Sequence, residues 1–334
     1  MESSAISKGS INEALDVNVS FDIIDGLHNA FSVRYSNQPK ENILHDISSV
    51  NIPCLHSAQA FETWEGVECS ANGGNLWQVF HNDQYLLASV PVTLLENLAI
   101  DQATEKAYSM IFQLLQEWGY PYLIRTWNFF ADITQDGYAG VNNYQLFCTG
   151  RARAYQQHNI PTQSYPAATV IGTHDENLYI YFIAAKSPGI GIENTKQVSA
   201  FEYPSTYSED PPLFSRAMLH RNHHQQILFI SGTASITGHN TQHEGDINSQ
   251  AEVCLDNIQH LLNTAIQEHQ FTNIRLSDFT QFKIYIKHAE HLNSVKTHLQ
   301  HQLGNHASII YLQGDMCRSD LLVEIEALSI SPLV

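Results

Sequence analysis

PLFSRAMLHRNHHQQILFISGTASI, residues 212–236, follows the same order as GGNLWQVFHNDQYLLASVPV, residues 73–92: an aromatic, a polar turn, an apolar strand, then small residues. The first reads as a β-hairpin turning at His81-Asn82-Asp83, and HRNHHQQ (220–226) as the solvated turn of the second. Each is followed by a helical stripe. In 101–118 the apolar positions are Ala103, Ala107, Met110, Ile111, Leu114, Leu115 and Trp118, with Gly119 and Pro121 closing the helix. In 251–269 they are Val253, Leu255, Ile258, Leu261, Leu262 and Ile266, with Asp246 as cap and Gln250 supporting the first turn. LIRTWNFFADI (123–133) and LSDFTQFKIYIK (276–287) then match as strands, as do NLYIYFIAAK (177–186) and DLLVEIEALSI (320–330). Hairpin, helix, strand, strand, twice over, is a tandem duplication, and the pattern predicts an α+β fold of mixed sheets, each with helices on one face.

SPGIGIENTK (187–196) interrupts the pattern with Gly and Pro. The expected organisation is therefore a polar, Ser-rich tail over 1–18, an N-terminal domain over 19–190 and a C-terminal domain over 191–334. Residues 19–66 add short strands.

Composition narrows the function. The 334 residues carry a net charge of −18, which disfavours nucleic acid and anionic membrane as partners. A chain this acidic that holds an anionic metabolite must place its few arginines with care. Cysteines 54, 69, 148, 254 and 317 are scattered and never spaced C-x-x-C, which fits a reducing compartment. The N-terminus shows no apolar signal region and no apolar run is long enough to span a membrane, so a cytoplasmic location is expected.

Several stretches can carry chemistry. In YLQGDMCRSDLLVEIEA (311–327), Glu324 and Glu326 share one strand face, opposite Val323, Ile325 and Ala327, with Cys317 and Arg318 just upstream. The same alternation fits a surface strand with solvated acids. GRARAY (150–155) puts Arg151 and Arg153 on one face if it is extended, a pairing that suits a dicarboxylate or a solvated surface pair. YPAATVIG (165–172) lets backbone approach a ligand closely, or packs a sheet tightly. EYPSTYSEDPPLFSRA (202–217) joins Tyr203, Tyr207 and Arg216 to a rigid proline frame, as either a wall for a ring-bearing anion or an ordinary Pro-rich loop. His239 and His243 stand four apart, but Gly232, Gly238 and Gly245 make that segment a loop, so no metal site is expected. A Cys317 nucleophile lacks a nearby histidine base, and no nucleotide-binding glycine motif is present.

In their order, RTWNFF (125–130), GRARAY, YPAATVIG, SGTASITGH and CRSDLLVEIEA resemble the chorismatase family, whose repeated unit is RidA/YjgF-like. The resemblance covers most of residues 70–330. It implies a cofactor-free enzyme with chorismate as its small-molecule substrate, removing the enolpyruvyl side chain as pyruvate. Glu324 matches the family's acid–base glutamate. Cys317 matches a cysteine of members that release an aromatic hydroxybenzoate, and both the 3-hydroxybenzoate and the mixed 3- and 4-hydroxybenzoate types fit. The expected carboxylate clamp is Arg151, Arg153, Arg216 and Arg318, with Tyr203 and Tyr207 flanking the ring. Chemically, a buried carboxylic acid can protonate a vinyl ether, and Glu326 beside Glu324 can keep it protonated by like-charge repulsion. An enamine/imine deaminase of RidA type and a non-catalytic binder of small aromatic acids are the competing readings. Monomer and trimer both fit a duplicated unit.

Overall fold

The computed structural model describes residues 18–22, 30–36, 47–57, 59–71, 77–174, 177–204, 209–304 and 307–333. The expected tail, 1–18, lies outside them except for residue 18. β1 (Asn18–Asp22), β2 (Phe31–Ser36), β3 (Ile47–Asn51) and β4 (Gln59–Glu65) form a sheet ordered β1-β4-β2-β3. The first repeat follows, with β5 (Glu68–Ala71), β6 (Gln78–His81), β7 (Tyr85–Ser89), α1 (Ile100–Trp118), β8 (Tyr122–Ala131), α2 (Asn143–Gln157), β9 (Ala167–Thr173) and β10 (Tyr179–Ala185). The second holds β11 (Ile190–Ile192), β12 (Ala217–Arg221), β13 (Gln225–Ala234), a small β14–β15 ribbon (Ile236–Thr237 and Asn240–Thr241) and α3 (Ile247–His269). β16 (Gln281–Ile286), α4 (Leu292–Leu299), β17 (Ser308–Gln313) and β18 (Val323–Pro332) complete it.

The two six-stranded sheets have the same order, β5-β6-β7-β10-β8-β9 and β11-β12-β13-β18-β16-β17. In each, the last pair is parallel and is joined by a crossover carrying a helix, α2 or α4. Even the hairpin turns repeat. Asn82 Oδ1 accepts from the amides of Gln84 and Tyr85 at 2.9 and 2.8 Å, and Asn222 Oδ1 accepts from those of His224 and Gln225 at 2.9 Å each. The predicted duplication is therefore present in sheet order, crossover and turn chemistry.

One element departs from the expectation. GRARAY is helical, inside α2, not extended. Asn142 and Gln145 close a capping box at its start, each side chain bonded to the other's backbone amide at 2.9 Å. Gly150 lets α2 lie directly on α1: a Cβ there would stand 2.1 Å from the Asp101 carbonyl oxygen.

All three sheets turn one face to a shared core containing Tyr35, Trp64, Trp127, Phe129, Tyr181, Phe229 and Tyr285. The other faces of the six-stranded sheets are covered by α1 and α2, and by α3 and α4. Strands β10, β16 and β18 are thus buried on both sides, unlike a surface strand. In β18, Val323, Ile325 and Ala327 pack under the helices, and the intervening Glu324 and Glu326 point toward the centre.

Trp64 tests this arrangement, because its ring meets Trp127 and Phe229, one from each repeat, at 6.3 Å. Trp64→Ala should lower unfolding free energy by about 3–5 kcal/mol in urea titration. A loss under ~1 kcal/mol would show that the four-stranded sheet does not share the core.

Candidate active site

A cavity of about 580 Å³ opens between the repeats. The first repeat contributes Tyr144 and Gln145 from α2 and Ala168 and Val170 from β9; the second contributes Tyr203, Phe214, Arg216, Gly232, Cys317, Arg318 and Glu324. Its size falls within the range of about 300–1,000 Å³ usual for small-molecule sites.

Glu324 is 5% exposed and faces this cavity. A β-bulge makes room for it. The β13–β18 register slips between Ile230 and Thr233, and a Cβ on Gly232 would come within 1.9 Å of Glu324 Oε1. Burial, then the negative charge of Glu326, pushes the Glu324 carboxyl up to about 8, against the opposing pull of Arg125 and Arg216. It is a carboxylic acid at neutral pH.

Glu326, two residues along the same strand, has the opposite fate. Burial alone would raise it, but Lys283 and then Arg125 hold it below the usual carboxylate range. Lys283 Nζ lies 2.8 Å from Oε1 and Arg125 Nη2 2.9 Å from Oε2. Trp127 Nε1 donates to Oε1 at 2.8 Å and Thr169 Oγ1 to Oε2 at 2.5 Å. Thr169 also accepts from Arg125 at 2.6 Å and from the Gly232 amide at 3.1 Å, which locks its hydroxyl toward Glu326.

Two expected guanidiniums line the cavity. Arg216 Nη2 donates to Tyr203 Oη at 2.9 Å and to the Val198 carbonyl at 3.1 Å, and its buried Nε finds no acceptor among the described residues. Arg318 Nη1 donates to the His239 carbonyl at 2.8 Å. Both guanidinium carbons stand over the Tyr203 ring, at 5.5 and 5.7 Å.

The α2 pair separates, as two residues apart on a helix must. Arg151 is fully buried over the Phe147 ring, and its Nε, Nη1 and Nη2 find no acceptor among the described residues. Arg153 projects outward, half exposed, to Asp101 at 3.0 Å and Glu105 at 3.6 Å, and does not line the cavity. The expectation of a shared Arg151–Arg153 face fails because the segment is helical. Tyr207 lies outside the described residues.

Cys317 lines the cavity beside Glu324, and burial pushes its thiol up to about 12, so it is no ready thiolate. Asp246 caps α3, accepting from the amides of Asn248 and Ser249, and Gln250 braces that turn from the Asp320 carbonyl and the Leu322 amide. Among the described residues no three His, Cys, Asp or Glu side chains are grouped to hold a metal, and no helix is long and apolar enough to cross a membrane.

A family model described as chorismatase FkbO/Hyg5-like, N-terminal, matches residues 60–184. A 3-hydroxybenzoate synthase of Streptomyces hygroscopicus is 38% identical over 232 residues, 67% of this chain and 68% of the relative. A chorismatase of the same organism is 36% identical over 273 residues, 80% of this chain and 78% of the relative. A chorismatase crystal structure matches with a TM-score of 0.82 at 30% identity, covering 93% of this chain and 98% of the other. The chain belongs to the chorismatase family.

Within this chorismatase fold, sequence reasoning missed Arg125, Lys283 and Glu62. Arg125 and Lys283 stood in quoted strands, but nothing in their spacing tied them to β18. Glu62 lies in QAFETWE (59–65), where a carboxylate amid strand-forming apolar residues was the available signal. The first helical turn of α2 was legible as Asn142-x-x-Gln145, a capping-box spacing.

Glu324 also predicts a stability profile. Its folded value lies above its unfolded one, so the folded state binds the proton more tightly. Its contribution is fully present below about pH 4.5 and gone once pH passes about 8. Glu324→Gln should therefore flatten the decline of Tm between those values, measured by calorimetry at matched ionic strength. Parallel profiles would show that Glu324 titrates normally.

Proposed function

We propose that this protein cleaves chorismate to pyruvate and 3-hydroxybenzoate, with Glu324 as the acid–base residue. The observation that carries the reading is a buried carboxyl, pushed up by burial and by Glu326, at the wall of a cavity that also holds Arg216 and Arg318. Chorismate has two carboxylates, a cyclohexadiene ring and an enolpyruvyl ether. Arg216 and Arg318 are the carboxylate ligands best placed in the cavity, with Tyr203 between them against the ring. Arg151 is buried on α2 but does not line the cavity, so it is not part of this clamp.

Glu324 gives its proton to the methylene carbon of the vinyl ether, which becomes the methyl group of pyruvate. The bond from ring carbon 3 to the ether oxygen breaks, and that oxygen leaves as the keto oxygen of pyruvate. Because the product carries its hydroxyl at ring carbon 3, the neighbouring C4 hydroxyl oxygen bridges to carbon 3 as that bond breaks and gives its proton to the Glu324 carboxylate. The C4–oxygen bond then opens, and the proton lost from carbon 3 as the ring becomes aromatic is balanced by protonation of the phenol oxygen. Carbon, hydrogen and oxygen balance between chorismate and these two products without a water. The enzyme returns to its starting protonation state after each turnover. A carboxylic acid poised near the working pH is suited to both transfers. Cys317, beside Glu324, fits a role in product choice, selecting 3-hydroxybenzoate over 4-hydroxybenzoate by the shape it gives the cavity. The chemistry also fits a cytoplasmic location, where chorismate is a free small molecule.

Incubation with chorismate in deuterated water should release pyruvate carrying solvent deuterium in its methyl group, together with 3-hydroxybenzoate, identified by mass and retention time. Glu324→Gln should fold and lose about 10²–10⁴-fold in kcat. Chorismate bound in equal ratio and recovered intact from the wild-type protein would make it a binder and not an enzyme; ammonia release from amino-acid-derived imines would make it a deaminase. Arg216→Ala should weaken binding by ~2–5 kcal/mol, the range for breaking a desolvated charge pair, read as a raised KM. An unchanged KM would remove Arg216 from the clamp.

A further inference from the structure

Behind the cavity lies a second charged cluster that the proposed reaction does not touch. Lys283, on β16, stands directly across from Glu326 in the β16–β18 register. Its ammonium bridges two carboxylates from different sheets, Glu326 Oε1 at 2.8 Å and Glu62 Oε2 at 2.7 Å. Glu62 belongs to β4, in the N-terminal sheet, and is 1% exposed. Tyr35 and Tyr181 donate to its Oε2 at 2.5 and 2.8 Å, and Trp64 Nε1 to its Oε1 at 2.9 Å. Arg125 completes the set against Glu326.

The charges of this cluster can be counted. Glu62 and Glu326 are two anions; Lys283 and Arg125 are two cations. With Glu324 protonated the buried cluster is neutral, and with Glu324 ionised it carries one uncompensated negative charge among buried side chains. Burying an unpaired charge is far costlier than burying a paired one.

We propose that Glu62 and Lys283 are positioning residues: the ion pair contributed by the N-terminal sheet and β16 fixes the charge balance around Glu326 and Arg125, and so keeps the proton on Glu324. The proposal rests on the reading of Glu324 as the acid. Three further titratable groups facing Glu324 bring no charge to it. Cys254 from α3, Cys317 from the loop before β18 and Tyr285 from β16 are all pushed up by burial and stay neutral. Arg216 faces Glu324 from the cavity side and pulls against its proton, while its guanidinium donates to Tyr203 and the Val198 carbonyl and to no member of the cluster. Thr169 and the Gly232 amide bring no charge.

A simple rule results, in which the number of ionised carboxylates among Glu62, Glu324 and Glu326 equals the number of cations supplied by Lys283 and Arg125. It is testable in the 334-residue chain labelled with carboxyl carbon-13 glutamate, with the Glu324 resonance assigned by its loss in Glu324→Gln. In Glu62→Gln one anion is gone, and the Glu324 midpoint should fall by about one pH unit or more, the scale of a close buried charge. The upper limb of the kcat profile should move with it while KM holds. Glu62→Gln/Lys283→Met restores neutrality and should return the midpoint close to wild type. In Lys283→Met alone, a second of the three carboxyls should hold a proton at neutral pH, and this variant decides the matter if Glu62→Gln does not fold.

A Glu324 midpoint unmoved in Glu62→Gln, or no second protonated carboxyl in Lys283→Met, would overturn the proposal. The resonance reports on Glu324 whether or not chorismate is the substrate. An absence of pyruvate release with shifting midpoints would therefore sink the functional reading alone, and pyruvate release with fixed midpoints would sink only the charge-balance proposal.

Discussion

A strand buried on both faces cannot leave two carboxylates to solvent, and this constraint on β18 organises the molecule. Val323, Ile325 and Ala327 are committed to the helix layer, so alternation forces Glu324 and Glu326 inward. Each must then be paired or protonated, because an isolated buried carboxylate costs several kcal/mol even after relaxation. Glu326 is paired, by cations from two different sheets. Glu324, placed where the bulge at Gly232 opens to the cavity, is protonated. Two chemically identical side chains, two residues apart, thus acquire opposite charge states from their surroundings alone.

The two repeats differ at the position of this acid. The central face of β10, the equivalent strand of the first repeat, carries Tyr179, Tyr181 and Ile183 where β18 has Glu324, Glu326 and Leu328. Tyr181 stacks on Trp127 at 4.5 Å and 12°. The aromatic pair forms an electron-rich floor under the two cations, with the Arg125 guanidinium carbon and Lys283 Nζ each 4.6 Å from the Trp127 ring. The second repeat therefore supplies both acids and Lys283, and the first supplies Arg125 and the aromatic floor beneath the two cations. Neither sheet alone assembles the site.

The sequence made the period-scale features legible and hid those that depend on a third dimension. The hairpins, α1, α3 and the final strands were readable because each has a strong periodicity and a local stop signal, such as Gly119 in its left-handed conformation or the Asp246 cap. Glu324 was readable because its spacing from Glu326 fixes a shared face whatever the fold. Arg151 and Arg153 were misjudged because a two-residue spacing has opposite meanings in strand and helix, and the segment has little amphipathic pattern of its own to decide between them. The pairing of Glu62 was out of reach: residues 62 and 283 meet only because three sheets close on one core, and no local pattern encodes that closure.

The same geometry bears on why the N-terminal sheet is retained. It adds nothing to the wall of the cavity, yet β2 and β4 cover the open side of the shared core with Tyr35, Trp64 and Glu62. Were apolar packing its whole purpose, a carboxylate at position 62 would be a poor choice, since replacing a buried ion pair by matched apolar residues is often neutral or stabilising. A buried charge held by two phenols, an indole and an ammonium is costly to build and difficult to disturb once built. Its effect is to neutralise Lys283, which would otherwise draw a second carboxylate into ionisation. The nearest candidate for that role is the one side chain whose chemistry depends on keeping its proton.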